Sequence, residues 1–308
     1  MATVETPSSI SVWLSALRPK TLGASLCPVL VGATVARVDG VFAWSPVLAA
    51  LAGALFLQIA SNLANDLFDG LRGTDGATRV GPRRAVGSGL VSPRAMTVAL
   101  VASLALAALP AAWLALHAGL AFAAIGVVGA VCAVGYTAPP ISLAYRGLGD
   151  LFVFAFFGPL AVAGTRAACD GAWTIPAIVC GVGPGAIAVC LLATNNLRDE
   201  VGDWASGKRT IVVRFGAGAV RGLVRACVTA AIAVPVVAAV ALGLPRGIML
   251  ASLVAALLGG FATGGGFAAA RMATSDETFG VRLAVFGLLL YAYGVAFAVG
   301  SLFDWGTR

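Results

Sequence analysis

The chain has 308 residues, of which 60% are hydrophobic and only 11% are charged. A soluble chain usually carries about 25% charged residues, so this composition and a mean hydropathy of +0.97 predict a protein that resides in lipid. They disfavour a disordered chain, a nucleic-acid-binding module and a disulfide-bonded scaffold. The net charge of +7 is expected to mark the cytoplasmic face of a membrane protein, not a nucleic-acid surface.

Long stretches without charged residues predict the membrane helices, because roughly 20 apolar residues are needed to cross the hydrocarbon core. They cover residues 21–36, 40–65, 95–145, 151–165, 171–197, 226–245, 247–270 and 283–303. The stretch 95–145 is long enough for two helices, and His117, Ala118 and Gly119 are expected to form the turn between them. The prediction is an all-α polytopic membrane protein, a single domain of residues 1–308 with nine transmembrane helices around a central cavity.

Basic residues predict the orientation of the chain. With nine helices and a cytoplasmic N-terminus, four of the 20 Lys and Arg residues lie on outer segments (Arg37, Arg166, Arg246 and Arg308) and the other sixteen on inner segments. This bias follows the positive-inside rule and places the C-terminus outside. Residues 1–11 are polar and lack a basic region, so no cleavable signal peptide is expected.

The six cysteines are scattered through mostly apolar stretches, without a CxxC motif or a Cys/His pair. They are expected to be buried free thiols that pack as small hydrophobic residues. A metal or redox centre built from them is not expected.

Six of the thirteen acidic residues fall in two short clusters, 62–75 and 195–210, at the inner ends of the second and sixth predicted helices. Acidic residues are costly near lipid, and inside a membrane protein they usually mark a functional site. The clusters correspond at an offset of 130 residues, with Asn65 matching Asn195 and the aspartate four positions later matching in each. Four helices separate them, which suggests duplication of a four-helix unit followed by a ninth helix.

Polar residues within each cluster share one helix face, because positions four apart are neighbours on a helix. They are Asn65 and Asp69, extended into the membrane by Gln58 and Asn62, and Asn195, Asp199 and Asp203. Such oxygen-rich walls suit Mg²⁺, which usually keeps water and a substrate phosphate as further ligands. Nearby basic residues could bind the remaining phosphate oxygens: Arg72, Arg79, Arg83, Arg84, Lys208 and Arg209. Together these residues predict a metal–diphosphate site.

Two other interpretations of the clusters stay open. The charges could be solvated loop residues and anchors at the ends of the helices, or they could belong to an ion-coupled transporter with internal repeats. Transporter acids lie near the membrane midplane, whereas these lie at the inner rim beside long basic loops. That location favours an anionic substrate whose apolar tail stays in the bilayer.

Four segments resemble motifs of the UbiA superfamily of intramembrane aromatic prenyltransferases. They are Arg18-Pro-Lys-Thr21; Asn65-Asp66-x-x-Asp69 with Gly73-Thr-Asp75; Tyr136-Thr-x-Pro-Pro140 with Tyr145-Arg-Gly-Leu-Gly-Asp150; and Asn195-Asn-x-Arg-Asp199 with Gly207-Lys-Arg-Thr210. Within the superfamily they are most similar to the members that prenylate 1,4-dihydroxy-2-naphthoate in menaquinone synthesis. The superfamily's first motif usually has a third acid where this chain has Gly73, and Asp66 or Asp75 is expected to replace it.

The resemblance implies transfer of a polyprenyl group from an allylic polyprenyl diphosphate to 1,4-dihydroxy-2-naphthoate, with decarboxylation, giving demethylmenaquinone and pyrophosphate. It implies Mg²⁺ as cofactor, membrane lipid as surroundings, no nucleic-acid partner, and the cytoplasmic membrane of a bacterium as location. A 4-hydroxybenzoate, homogentisate or phosphoribosyl acceptor would use the same metal chemistry and stays open.

The resemblance also implies residue roles. The expected metal ligands are Asn65, Asp66, Asp69, Asp75, Asn195, Asp199 and Asp203. The expected catalytic residues are Asp69, Asp199 and Tyr136. The expected substrate-binding residues are Arg18, Lys20, Asn62, Arg72, Arg83, Arg84, Arg146, Asn196, Arg198, Lys208 and Arg209.

Several of these residues have a simpler alternative role. Tyr136 either faces the allylic cation with its ring or is an ordinary interfacial tyrosine. The basic residues either bind substrate or anchor the chain to lipid headgroups. Asp150 is interpreted as a charge favoured by the N-terminal end of the fifth helix, and His117, on the outer side, is given no role.

Overall fold

The computed structural model describes residues 9–73, 84–263 and 276–303, and the regular elements in these ranges are all helical. The described residues form twelve α-helices: α1 Ser9–Leu17, α2 Gly23–Val38, α3 Trp44–Leu71, α4 Pro93–Ala118, α5 Ala121–Gly135, α6 Gly149–Phe156, α7 Pro159–Ala167, α8 Ile175–Ala205, α9 Ile211–Ala241, α10 Leu250–Val254, α11 Gly260–Thr263 and α12 Asp276–Gly300. Short 3₁₀ helices occur at Pro19–Thr21, Leu143–Arg146 and Arg246–Met249, and a π-helical turn at Ala255–Gly259 joins α10 to α11. The all-α prediction is confirmed.

Within the described residues, seven helical segments are long and apolar enough to cross a membrane. They are Trp44–Leu71, Pro93–Ala118, Gly149–Ala167, Ile175–Ala205, Ile211–Ala241, Arg246–Thr263 and Phe279–Gly300. The apolar helices α2 and α5 have only 16 and 15 residues and lie where the first and fourth spans are predicted. The chain is therefore a multi-pass membrane protein, while nine crossings stay a prediction.

The turn between α4 and α5 lies where the sequence predicts it. α4 ends at Ala118, and Gly119 has a φ of +113°, a backbone conformation that side chains disfavour. His117 stacks on Trp113 with 3.9 Å between ring centroids, and its Nδ1 lies 2.7 Å from the Trp113 carbonyl oxygen. These contacts are consistent with a structural histidine at a turn.

The seventh predicted helix begins earlier than residue 226. α9 starts at Ile211 because arginine is a good helix former and its long side chain can keep its charge in water while its stem covers apolar surface. Arg214, Arg221 and Arg225 lie in this added part. Gly216 has a φ of +76° and kinks the helix near its start.

The predicted helix at 151–165 is interrupted. α6 ends at Phe156 and α7 begins at Pro159, with Gly158 between them in a non-helical conformation. A Cβ on Gly158 would lie 2.6 Å from the carbonyl oxygen of Gly181 on α8. The break therefore lets the backbone of this span approach α8 closely.

The helices pack around α8. α3 packs along α4, α8 packs along α9, and α2 contacts α7, α8 and α12. The largest buried cluster is formed by residues of α2, α7, α8, α9 and α12. A short helix absent from the prediction, α1, packs on α3. These contacts hold the C-terminal ends of α3 and α8, which carry the two acidic clusters.

Candidate active site

A cavity of about 300 Å³ is enclosed by residues of α2 to α8. Most of its walls are apolar, with Leu57, Phe122, Phe152 and Phe156 among the lining residues. The side chains at its polar end include Arg18, Asn62, Asn65, Tyr136 and Asn195. A cavity with one polar end and apolar walls fits a substrate that joins a charged group to a hydrophobic tail.

Asp69 is one of two deeply buried acids among the described residues of the first cluster, with 1% of its surface exposed. The hydroxyl of Tyr145 donates to its Oδ1 at 3.0 Å, and the ammonium of Lys208 donates to its Oδ2 at 2.8 Å. The guanidinium of Arg84 lies 3.9 Å from the same Oδ2. Two cations and a phenol therefore stabilise the charge of this carboxylate.

Lys208 brings the two acidic clusters together. Its ammonium lies 2.8 Å from Asp69 on α3 and 3.9 Å from Oδ1 of Asp203 on α8. These aspartates are 134 residues apart in the chain (203 − 69), yet one positive charge lies between them. The fold thus brings the two acidic clusters close together, and the ammonium of Lys208 lies between them.

Asp199 has a different partner. The guanidinium of the adjacent Arg198 donates to both of its carboxylate oxygens, from Nε at 2.8 Å and from Nη2 at 2.9 Å. The carboxylate side chain is 23% exposed. Asp199 therefore lies nearer to solvent than Asp203, one turn further along the same face of α8.

Asp66 anchors the chain segment that follows the first cluster. Its two oxygens accept hydrogen bonds from the backbone N–H groups of Ala85 at 3.0 Å and Val86 at 2.8 Å. Gly70 allows this close approach, because a Cβ there would lie 2.9 Å from the backbone nitrogen of Gly87. The structure gives Asp66 a structural role here, and its role as a metal ligand stays a prediction.

The asparagines of the two clusters form hydrogen bonds both at the cavity and between helices. Thr137 donates from its hydroxyl to Oδ1 of Asn65 at 3.1 Å, and Asn195 donates to the carbonyl of Leu191, one turn earlier, at 3.2 Å. Asn62 donates to the carbonyl of Leu17 at 3.0 Å and so ties α3 to the end of α1. Asn196, predicted to bind substrate, is half-buried on α8.

The ring of Tyr145 contacts two cations of the site, a role that its sequence motif does not predict. The guanidinium of Arg72 lies 4.0 Å from its ring centroid and the ammonium of Lys208 lies 5.2 Å from it. Arg72 also donates to the hydroxyl of Ser142 at 2.9 Å. Burial, and then the charge of Asp69, raises the pKa of Tyr145 to about 12. The phenol therefore remains a hydrogen-bond donor to Asp69.

Two strained backbone positions flank the site. Arg18 has a φ of +53° and Ser142 a φ of +45°, a region that residues other than glycine rarely adopt. Such strain often marks functional sites. Arg18 lines the polar end of the cavity, and Ser142 holds the Arg72 side chain.

Tyr136 lies where the cavity changes from polar to apolar. Burial raises the pKa of its phenol, and the negative charges of Asp150, Asp203 and Asp69 raise it further. Arg18 acts in the opposite direction. Tyr136 is thus surrounded by acids at the cavity wall, and its contact with an allylic cation stays a prediction.

The other predicted substrate-binding residues lie around this centre or outside the described residues. Arg146 donates to the carbonyl of Pro140 at 2.8 Å, and the backbone N–H of Arg209 donates to the carbonyl of Tyr145 at 3.3 Å. Arg209 and Lys208 also line a shallow surface pocket beside α9. Asp75, Arg83 and the side chain of Lys20 lie outside the described residues.

The donor set fits a hard divalent cation. Asp69, Asp203 and Asp199 supply carboxylate oxygens, and Asn65 and Asn195 supply carboxamide oxygens, which are the ligands that Mg²⁺ prefers. Among the described residues, no three acidic, histidine or cysteine side chains lie close enough to form a ready metal cluster. The carboxylates pair with lysine and arginine instead, so a metal ion would share them with these cations.

The chain matches the model of the UbiA prenyltransferase family over residues 25–282. The chain belongs to the UbiA prenyltransferase family. The matched region contains both acidic clusters and all the helices that enclose the cavity, except for the first two residues of α2. Arg18 and Lys20 precede it.

Relatives in the UbiA family are similar over most of their length. The 1,4-dihydroxy-2-naphthoate octaprenyltransferase of Mycobacterium tuberculosis is 41% identical over 219 residues, covering 70% of this chain and 73% of that protein. The enzyme of the same name from Escherichia coli is 37% identical over 221 residues, covering 68% and 70%.

Solved UbiA structures share the fold at lower identity. A UbiA homologue from Aeropyrum pernix superimposes with a TM-score of 0.69 and 18% identity, covering 92% of this chain and 98% of that one. A UbiA homologue from Archaeoglobus fulgidus, bound to DMAPP and Mg²⁺, gives a TM-score of 0.61 at 20% identity, covering 94% and 99%.

Proposed function

We propose that this protein transfers a polyprenyl group from an allylic polyprenyl diphosphate to 1,4-dihydroxy-2-naphthoate, with decarboxylation, giving demethylmenaquinone and pyrophosphate. The observation that carries the proposal is the meeting of Asp69 and Asp203 across Lys208, close to the polar end of an apolar cavity. The acceptor is supported by the relatives at 41% and 37% identity, which are named for this naphthoate.

The residues that would hold Mg²⁺ are Asn65, Asp69, Asn195, Asp199 and Asp203, with Asp66 and Asp75 as further candidates. Bound Mg²⁺ neutralises diphosphate charge and so makes pyrophosphate a better leaving group. The A. fulgidus homologue bound to DMAPP and Mg²⁺ supports this use of a divalent ion in the fold.

The chain's own residues bind and shield the donor. Lys208 and Arg84, both within 4 Å of Asp69, are placed to bind diphosphate oxygens. The apolar walls of the cavity exclude water from the allylic cation, which would otherwise be hydrolysed. A cavity of about 300 Å³ is at the small end for drug-sized ligands, so a long polyprenyl tail would continue into lipid.

The membrane arrangement is part of the proposal. α2 and α5 would cross as short spans, giving nine crossings in one domain with a cytoplasmic N-terminus and an external C-terminus, in the cytoplasmic membrane of a bacterium. The two long helix pairs α3–α4 and α8–α9, each with an acidic cluster at the end of its first helix, support a duplicated four-helix unit.

The acceptor is tested with purified protein in lipid nanodiscs, supplied with Mg²⁺, a labelled allylic diphosphate, and 1,4-dihydroxy-2-naphthoate, 4-hydroxybenzoate or homogentisate. Mass spectrometry is expected to detect a prenylated naphthoquinol that has lost the carboxylate. A prenylated hydroxybenzoate that keeps its carboxylate, without a naphthoquinol product, would overturn the acceptor. Solute transport without pyrophosphate release would overturn the enzyme class.

A further inference from the structure

Asp150 is a buried acid to which the proposed metal and diphosphate chemistry gives no role. It lies in the first turn of α6 with 7% of its surface exposed. Its Oδ1 is fully enclosed and has no hydrogen-bond partner among the described residues. A fully buried carboxylate oxygen without a hydrogen-bond partner is costly, and the N-terminal helix dipole offers less stabilisation than this cost.

The other buried acids of the described residues have partners. Asp66 accepts two backbone hydrogen bonds, Asp69 binds Lys208 and Tyr145, and Asp203 lies 3.9 Å from Lys208. Within the same residues, Asp150 has no Lys or Arg at ion-pair distance. A buried carboxylate oxygen without a hydrogen-bond partner is available to accept a proton, which is the role of a general base.

Tyr136 lines the cavity and lies next to the first turn of α6, which carries Asp150. Its ring lines the cavity, and a Cβ on Gly149 would lie 2.7 Å from the Tyr136 hydroxyl oxygen, so this hydroxyl packs on the backbone beside Asp150. The charged groups that act on Tyr136 are Asp150, Asp203, Asp69 and Arg18.

We propose that Asp150 accepts, through the hydroxyl of Tyr136, the proton of the acceptor hydroxyl next to the carbon that is prenylated. This assignment rests on the proposed function. Tyr136 is the group that touches the acceptor, and Asp150 acts through it. Tyr136 lies at the boundary between the polar end and the apolar walls, where an aromatic acceptor would meet the allylic carbon.

The proton and electron movements balance. Tyr136 passes its proton to Asp150 and takes the acceptor's hydroxyl proton, and the O–H electron pair becomes the second bond of a carbonyl. A ring π pair forms the C–C bond to the prenyl group while pyrophosphate leaves with the C–O pair. CO₂ then leaves from the same ring carbon, its bond pair restores the aromatic ring, and the carbonyl oxygen recovers the proton from Asp150 through Tyr136.

The test uses the full protein in nanodiscs with the variants Asp150→Asn, Asp150→Glu and Tyr136→Phe. Asp150→Asn and Tyr136→Phe are expected to lower kcat about 100-fold, the usual contribution of a general base, and the double variant no further than either alone. Asp150→Glu retains more activity. The Kd of a non-reactive donor analogue stays unchanged in all of them.

The deciding readout is the ratio of wild-type to variant kcat across halogenated 1,4-dihydroxy-2-naphthoates with increasingly acidic hydroxyls. This ratio falls for Asp150→Asn and Tyr136→Phe, because a more acidic hydroxyl needs less help from a base. Tyr145→Phe, the matched control, changes donor affinity and gives a constant ratio.

A near-normal kcat in Asp150→Asn, or a ratio that is constant across the acceptors, would overturn the inference. If Asp150→Asn does not fold, the ratio of wild-type to variant kcat is measured for Tyr136→Phe across the same acceptors. Absence of a prenylated naphthalene product from the unaltered protein would instead overturn the proposed function, so the two failures are distinguishable.

Discussion

Asp66 and Asp69 lie three residues apart on α3 and have different contacts. Asp66 binds the backbone N–H groups of Ala85 and Val86, whereas Asp69 binds Tyr145 and Lys208. Asp66→Asn leaves one oxygen to accept a hydrogen bond but places its NH₂ group against the other backbone N–H donor, and we expect it to lower the free energy of unfolding by about 1–3 kcal/mol. Thermal unfolding in detergent measures this. An unchanged unfolding temperature with a weakened affinity for Mg²⁺ would instead make Asp66 a metal ligand.

Lys208 is expected to bind the donor. Lys208→Met removes the cation between Asp69 and Asp203, and we expect the KM for the allylic diphosphate to rise about 10-fold or more, the effect of one charge-assisted hydrogen bond. Arg225→Met is the matched control, because Arg225 is an exposed cation on α9 to which no role in the site is given. Equal KM values for the two variants would contradict a diphosphate-binding role for Lys208.

Local spacing made part of this site predictable. Asn65 with Asp69, and Asn195 with Asp203, follow from helix periodicity and from the matching of two clusters. The contacts of Tyr145 and Thr137 were not predictable, because they cross more than 70 residues and depend on how the loop before α6 folds onto α3. One sequence feature could have indicated a role for Tyr145, namely its position between the Pro139-Pro140 pair and the acid Asp150.

At the scale of the helices, Gly158 decides how closely α6 and α7 approach α8. Gly158→Ala would place a Cβ 2.6 Å from the carbonyl oxygens of Phe154 and Gly181, and we expect destabilisation by about 1–3 kcal/mol. Gly222→Ala on α9 is the control, because no atom lies within 4 Å of its added Cβ and alanine favours the helix. Equal unfolding temperatures for the two variants in nanodiscs would refute this account.

The exact boundaries of the helices were not predictable from the charge-free stretches. The charge-free criterion ended the sixth predicted helix at residue 197, although α8 continues to Ala205 and carries Asp199 and Asp203 within it. Charged residues end an apolar stretch without ending a helix, because the backbone hydrogen bonds continue into water. The same reason explains the early start of α9 at Ile211.

For the whole molecule, the distribution of basic residues predicts the orientation in the membrane. We expect Leu120→Cys, at an outer turn where Leu120 is 82% exposed, to react with a membrane-impermeant maleimide in intact cells. Ala205→Cys, at the exposed end of α8, should react only after permeabilisation. Four of the six native cysteines are buried and Cys132 and Cys169 are partly exposed, so the unaltered protein is labelled in parallel to give the background. The reverse pattern would invert the proposed topology.

We expect the two acidic clusters to form one metal–diphosphate site. The most direct measurement is Mg²⁺-dependent pyrophosphate release from a labelled allylic diphosphate by the wild type, Asp69→Asn, Asp203→Asn and the double variant. We expect each single substitution to lower the rate about 100-fold, EDTA to abolish wild-type activity reversibly, and the double variant to lose little more than either single one. A shared site would be contradicted if the rate loss of the double variant equalled the product of the two single losses. A near-normal rate in either single variant would also contradict it.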